Sequence, residues 1–162
     1  MTLVLYRIDD RLIHGQVVLG WGQPLDVGFI VLVDDGVAGS EWERDLYRMA
    51  VPPGVDVYFH TAAECAVVLG GYRADPRHGI LLTGDVHTMR ALVAGDGIPA
   101  VNLGGIHHRR DRVQRLRYLF LSPDEAEALR EIAARGVVVT AQDVPSARAV
   151  PLDEILAAGG AP

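Results

Sequence analysis

The hydropathy pattern of this chain predicts an α/β protein: one domain built on an open, mainly parallel, doubly wound sheet of about seven strands with helices on both faces. Three observations carry that expectation. Short apolar runs of strand length alternate with amphipathic stretches, the pattern of parallel strands covered on both faces by crossover helices. Helix-start chemistry recurs between the runs, as Thr61 with Glu64 and as Ser122-Pro123 with Glu125. At 162 residues with 49% hydrophobic side chains, the chain holds enough apolar material for one core, so a single domain over 1–162 is expected.

The first strand is expected at Leu3 to Ile8, a β-rich run, followed by a polar loop and a helix from Gln16 to Trp21. Gly28 to Val33 is continuously apolar and reads as a buried strand; Glu41 to Ala50 follows as a helix. A strand at Asp56 to Phe59 leads to the Thr61 cap and a helix from Ala62 to Leu69. Ile80 to Thr83 and Ala100 to Leu103 are strands around a helix from Thr88 to Ala94, and Tyr118 to Leu121 is read as one more strand. Pro at the first turn and Gly136 beyond the end bracket a helix from Pro123 to about Arg135, with the strand Val137 to Ala141 behind it. Leu152 to Ala158 closes the pattern as a helix, and Gly159 to Pro162 reads as a frayed tail.

Charge and composition exclude several functions. A net charge of −6 argues against a general nucleic-acid binder, which needs excess basic surface to neutralise phosphates. Arg109, Arg110, Arg112, Arg115 and Arg117 do cluster, either as a solvated loop or as a docking patch for an acidic partner. Cys65 has no partner for a disulfide and sits in an apolar run as core filler, which suits a reducing compartment. No signal peptide and no membrane-spanning run is recognisable, so no direct membrane insertion is expected.

In an open parallel sheet ligands collect beyond the carboxyl ends of the strands, which directs attention to the loop after the first strand. It reads Ile8-Asp9-Asp10-Arg11-Leu12-Ile13-His14-Gly15-Gln16 and gathers two carboxylates, a guanidinium and an imidazole at a helix start. Those groups suit phosphoryl transfer through His14, since a neutral imidazole nitrogen is nucleophilic near pH 7. Arg11 offers a planar, permanently charged fork for phosphate oxygens. Asp9 or Asp10 is placed to accept from the ring nitrogen that does not react, fixing the tautomer and steadying the developing cation. Gly15 allows close backbone approach, and the helix beginning at Gln16 presents free N–H groups to an anion.

The run Ile8 to Val17, with Trp21 beyond it, closely resembles the phosphorylation-site signature of the IIB components of the mannose/fructose/sorbose family of the bacterial sugar phosphotransferase system. Val33-Asp34-Asp35, Met49-Ala50 to Pro53-Gly54, Asn102-Leu103-Gly104-Gly105 and Ser122 to Gly136 resemble further segments of that family. The resemblance implies that His14 takes a phosphoryl group on Nδ1 from a phosphohistidine of a IIA protein or domain and passes it to a sugar. In that family the sugar is bound and moved by membrane IIC and IID subunits. A cytoplasmic protein is implied, peripheral to the inner membrane face through those subunits, with homo-oligomerisation open and no cofactor. With no IIA-like segment ahead of residue 1, a donor on a separate chain is expected. The alternative is a regulatory protein of the same system, read by its phosphorylation state and not coupled to transport. Ile106-His107-His108 and the arginine cluster depart from the family's usual wording.

Other residues receive lesser roles. Asp35 ends the second strand as a site-rim or structural acid; a dinucleotide fold fails because no G-x-G-x-x-G follows the first strand. Thr83 and Gly84 end the fourth strand and are expected to reach the phosphoryl pocket, with His87 near a helix start. Asn102, Gly104 and Gly105 are expected to shape a turn. His60, His78, His107 and His108 lack the spacing of a metal site, so no metal is expected. Trp21, Trp42 and Tyr47 are read as core or helix-packing groups, not as sugar platforms.

Overall fold

The computed structural model describes residues 3–159. Its main sheet has seven strands in the order β3-β2-β4-β1-β5-β8-β9. In chain order these are β1 Leu3–Ile8, β2 Val27–Val33, β3 Asp56–His60, β4 His78–Thr83 and β5 Ala100–Leu103, then β8 Val138–Ala141 and β9 Val150–Pro151. Every pairing is parallel except β8 with β9. β6 Val113–Leu116 and β7 Leu119–Leu121 form a separate antiparallel pair. The helices are α1 Asp35–Ala38, α2 Glu41–Met49, α3 Ala62–Arg73, α4 Val86–Val93, α5 Pro123–Ala134 and α6 Leu152–Ala157, and a π-helix covers Gln16–Gly22.

Alternation along the strands divides the core in two. Phe29, Val31 and Val33 of β2 join Leu81, Val86, Met89, Leu129 and Ile132 on one face, the side of α3 to α6. Ile30 and Leu32 join Ile80, Leu82, Leu12, Val17, Val18 and Trp21 on the other, the side of the π-helix and α2. A strand sandwiched this way must be apolar on both faces, and each such side chain contributes about 1.5–3 kcal/mol of burial. At Gly79 a Cβ would sit 2.2 Å from the Phe29 ring, so the crossing of β2 and β4 requires glycine there.

The local signals read from sequence are present as geometry. Thr61 with Glu64 and Ser122 with Glu125 each form a reciprocal capping box, and Gly136 closes the α5 segment at φ +86. Asp85 caps α4 through the Thr88 N–H at 2.7 Å and starts it at Val86, ahead of the expected Thr88. α3 continues past Leu69 to Arg73, through two glycines.

Three elements differ from expectation. The segment expected as a main-sheet strand at Tyr118 to Leu121 is instead the hairpin partner β7, because a two-residue connection to β6 permits only antiparallel pairing. Leu119 and Leu121 still anchor that hairpin in the core. The seventh place in the sheet goes to β9, a two-residue edge strand whose Pro151 suits an edge. Trp42, expected to pack inward, is exposed on α2. The expected frayed tail lies outside the described residues except for Gly159, which is exposed but lies against β6: a Cβ there would meet the Gln114 carbonyl oxygen. Among the described residues no helix is long and apolar enough to cross a membrane.

The arginine cluster is divided among several tasks. Arg112 forms a bidentate pair with Glu125, both contacts at 2.8 Å and both groups nearly buried. Arg115 donates to the Leu156 and Ala158 carbonyls and so ends α6. Arg109 and Arg110 are exposed.

Candidate functional site

β1 lies between β4 and β5, and the loop leaving its carboxyl end is pinned to both neighbours. The Asp9 N–H donates to the Thr83 carbonyl and the Asp10 N–H to the Gly105 carbonyl, each at 2.9 Å. The chain then turns sharply: the Leu12 N–H donates to the Asp9 carbonyl, and Leu12 adopts the left-handed region at φ 59. That conformation costs a branched residue about 1–2 kcal/mol, which the burial of Leu12 in the apolar cluster below offsets. Leu12 and Ile13 therefore anchor a loop whose next residue, His14, comes to the surface with its side chain 18% exposed.

Two contacts define the His14 ring. Its Nδ1 accepts the Gln16 backbone N–H at 3.2 Å, so Nδ1 carries the lone pair and the neutral ring holds its proton on Nε2. Nε2 is buried 3.2 Å from Asp9 Oδ1, at ion-pair distance but out of line for a hydrogen bond. Burial pushes the His14 pKa below the ordinary imidazole value; the Asp9 charge opposes this, and Arg11 and Arg7 add to it. The ring is thus neutral at pH 7, and a positive charge forming on it meets the Asp9 carboxylate.

Asp9 is itself fully buried and held from two sides. Arg7 Nη2 lies 3.2 Å from Oδ2, while the Arg11 backbone N–H donates to Oδ1 at 3.2 Å and Arg11 Nε sits 3.5 Å from it. Arg7 is equally buried. It donates to Asn102, to the Gln142 carbonyl at 2.9 Å and to Gln16 Oε1 at 3.2 Å, and its guanidinium lies 5.1 Å from the Trp21 ring centroid. Burial draws its pKa down from the usual guanidinium value, against the opposing pull of Asp9 and Asp143. Gly104 makes the pair fit, since a Cβ there would come 2.3 Å from Arg7 Nη2 and 2.7 Å from Asp9 Oδ2.

Gln16 ties this buried network to the rim. Its Oε1 accepts from Arg11 Nη2 at 3.0 Å as well as from Arg7, and its Nε2 donates to Asp143 Oδ1 at 2.7 Å. Asp143 Oδ2 in turn holds the exposed Arg117 at 3.0 Å, and its carbonyl accepts the Trp21 indole N–H at 3.0 Å. Arg11 remains 43% exposed, so its fork stands in solvent beside the ring.

His14, Arg11, Asp9 and Gln16 thus converge as one cluster. Asp10 does not join it: its carboxylate turns outward and takes the His107 N–H at 2.8 Å and the His107 Nδ1 at 2.6 Å. Of the two acids, Asp9 is the one at ion-pair distance from the ring, though the hydrogen bond expected from Nε2 is not formed. The Thr83 hydroxyl donates to the Asp85 carbonyl at 3.2 Å, so Thr83 serves the site through its backbone. Gly84 lies against Leu12, where a Cβ would meet the Leu12 side chain at 3.0 Å. Asp35 accepts the Ala62 N–H at 2.9 Å and links α1 to α3, a structural task away from the ring. Gly15 has ordinary helical angles, φ −52 and ψ −41, and a Cβ on it would meet nothing within 4 Å. Its glycine is therefore not a backbone requirement; it leaves open space next to His14. His60 bonds Tyr72 and His78 bonds the Leu25 carbonyl. Among the described residues no group of three or more His, Cys, Asp or Glu gathers as a metal site.

Arg7, Asn102, Gln142 and Asp143 are the members that sequence reasoning missed or placed elsewhere. A guanidinium in the middle of an otherwise apolar strand was the available signal for Arg7, because a charge so placed must have a buried partner. Asp143 lies 127 positions from Gln16 and gave no local sign.

Known proteins share this arrangement of chain and sheet. Residues 3–161 match the family model described as the PTS system sorbose subfamily IIB component. The chain is 32% identical over 147 residues to the sorbose-specific EIIB component of Klebsiella pneumoniae, covering 90% of each chain. It is 32% identical over 145 residues to the mannose-specific EIIAB component of Escherichia coli strain K12, covering 89% of this chain but only 45% of that one, so it spans less than half of that relative. The crystal structure of the IIBSor domain of the K. pneumoniae sorbose permease superposes with a TM-score of 0.87 at 31% identity, covering 96% of both chains. That of the N-acetylgalactosamine-specific IIB component 1 of E. coli gives 0.85 at 31% identity, covering 91% of this chain and 97% of that one. With the match running nearly end to end, this chain belongs to the IIB component family of the sorbose subfamily of the sugar phosphotransferase system.

Proposed function

We propose that the chain acts as a single IIB domain, 1–162, in which His14 carries a phosphoryl group from a phosphorylated IIA protein or domain to a sugar. The observation that supports this most directly is the His14 ring itself, neutral, with its Nε2 face against the buried Asp9 carboxylate and its Nδ1 lone pair toward the Gln16 N–H at the start of a helix. Nδ1 attacks the phosphorus of the donor phosphohistidine, and the donor's P–N bond breaks with its electron pair returning to the donor ring. The His14 ring keeps its Nε2 proton and becomes cationic, a charge that Asp9 meets at 3.2 Å. The Gln16 N–H, displaced from Nδ1, turns to a phosphoryl oxygen, and the exposed Arg11 fork supports the others.

In the second step a sugar hydroxyl oxygen attacks phosphorus, the P–Nδ1 bond breaks, and the hydroxyl proton leaves to water. The acceptor sugar is presented by membrane IIC and IID subunits, which places the chain at the inner membrane face through its partners. Sorbose, mannose and N-acetylgalactosamine are named for the relatives, and a small sugar of that class is the substrate proposed here. The test is incubation with a radiolabelled phospho-IIA protein followed by mapping of the modified residue. One acid-labile, base-stable label on His14, absent from His14→Ala, is expected; a label that persists in that variant would refute the reading.

A further inference from the structure

α2 is mounted with its apolar side outward. Glu43, Arg44 and Tyr47 face the body of the protein, while Trp42, Leu46 and Met49, spaced to form one stripe, are 73%, 50% and 83% exposed. None of the nine residues of this helix is buried. None of the three packs against either buried apolar cluster, and α2 adjoins β3, the open edge of the sheet.

The charges beside the stripe name its occupant. Along one rim the order is Glu41, Asp45, Arg48, with the acids toward the amino end of the helix and the base toward the carboxyl end. A second copy laid antiparallel on this face reverses that order, so Arg48 of each helix comes opposite Asp45 of the other, with Glu41 one turn beyond. Trp42 then covers Met49 of the other copy at both ends, and Leu46 meets Leu46 at the centre. Within one chain Arg48 holds Asp45 at 2.9 Å and lies 5.1 Å from the Phe59 ring centroid, so pairing exchanges an exposed intrachain ion pair for one between the copies.

We propose that α2 is a self-complementary docking surface at which two copies of this chain pair antiparallel about a two-fold axis near Leu46. The contact is isologous, each residue meeting its counterpart's partner twice, and its single-helix footprint belongs to the weak, concentration-dependent class of interfaces. Trp42, Leu46 and Met49 take no part in the hydrogen-bond and ion-pair network around His14, so pairing and phosphoryl acceptance are separable.

Sedimentation velocity over a concentration series of the full chain tests this. The native chain is expected to shift from monomer toward dimer with rising concentration. Leu46→Glu, which sets two carboxylates together at the axis, is expected to weaken the dimer by at least about tenfold. Asp45→Arg is expected to weaken it less, and Asp45→Arg combined with Arg48→Glu to recover part of the loss. Because these side chains are exposed, circular dichroism and phosphoryl acceptance at His14 are expected to match the native chain, which keeps a failure here distinct from a failure of the phosphohistidine assignment. A chain that stays monomeric at every concentration, or a dimer indifferent to Leu46→Glu, overturns the proposal.

Discussion

Burial fixes the protonation state in which His14 would serve the proposed phosphoryl transfer. Desolvation is the largest influence on its pKa and lowers it, so the nucleophilic neutral ring persists below the pH at which an exposed imidazole, with pKa about 6.5, becomes protonated. The rate of phosphoryl acceptance should therefore be flat from pH 8 through about 6.5 and fall only below that. Stability follows the same group with a definite sign. The unfolded chain takes up the His14 proton at higher pH than the folded chain does, so folding loses stability as pH drops from about 6.5 toward the folded value. Asp9→Asn removes the larger of the two carboxylate influences, Asp9 and Asp10, that pull the pKa up. Its acid limb should move further down, and acceptance should slow about 10–100-fold because the cationic phosphohistidine has lost its counter-charge. Stopped-flow or quench kinetics against pH checks both shifts; an acid limb above 6.5 in the native chain would contradict the burial argument.

The site loop stands where it does because three strand ends hold it, and here the legible and the hidden parts of the sequence separate. Capping boxes at Thr61 and Ser122 and the Gly136 stop were readable because donor and acceptor lie within one turn of each other. His14, Arg11, Asp9 and Gln16 were readable as a group for the same reason. The Arg7 network was not, since Asn102, Gln142 and Asp143 approach it through sheet topology; β7 was read as a strand, but its hairpin partner β6 was hidden because Val113–Leu116 mixes polar and apolar residues with no clear alternation. Gly104 looked like a turn glycine yet its missing Cβ is what admits the Arg7–Asp9 pair. Gly104→Ala should accordingly cost about 1–3 kcal/mol in urea unfolding and slow phosphoryl acceptance, because a methyl group would displace Asp9 or Arg7 from the other. Gly15→Ala, with open space around the added carbon, should leave unfolding within about 0.5 kcal/mol of native.

Seen as one body, the protein sets its His14 loop on an interior strand and carries its shortest pairings at the margins. β1 is paired on both sides, and β4 next to it and β2 beyond carry side chains buried on both faces, whereas β6 and β9 are short and peripheral. An apolar strand flanked by two others opens only when the whole sheet opens, while a short antiparallel pair can detach by breaking a few hydrogen bonds. Native-state hydrogen exchange should therefore resolve two levels. Amides of β1, β2 and β4 should exchange with the free energy of global unfolding, and those of β6 and β9 should exchange through smaller openings, about 2 kcal/mol or more below it. The Asp9 and Asp10 amides, bonded to the Thr83 and Gly105 carbonyls, decide the matter for the site. If they exchange with β1, the histidine loop is part of the rigid sheet and transfer needs only a partner to approach; if they exchange with the peripheral strands, the pinning by β4 and β5 does not hold the loop in solution.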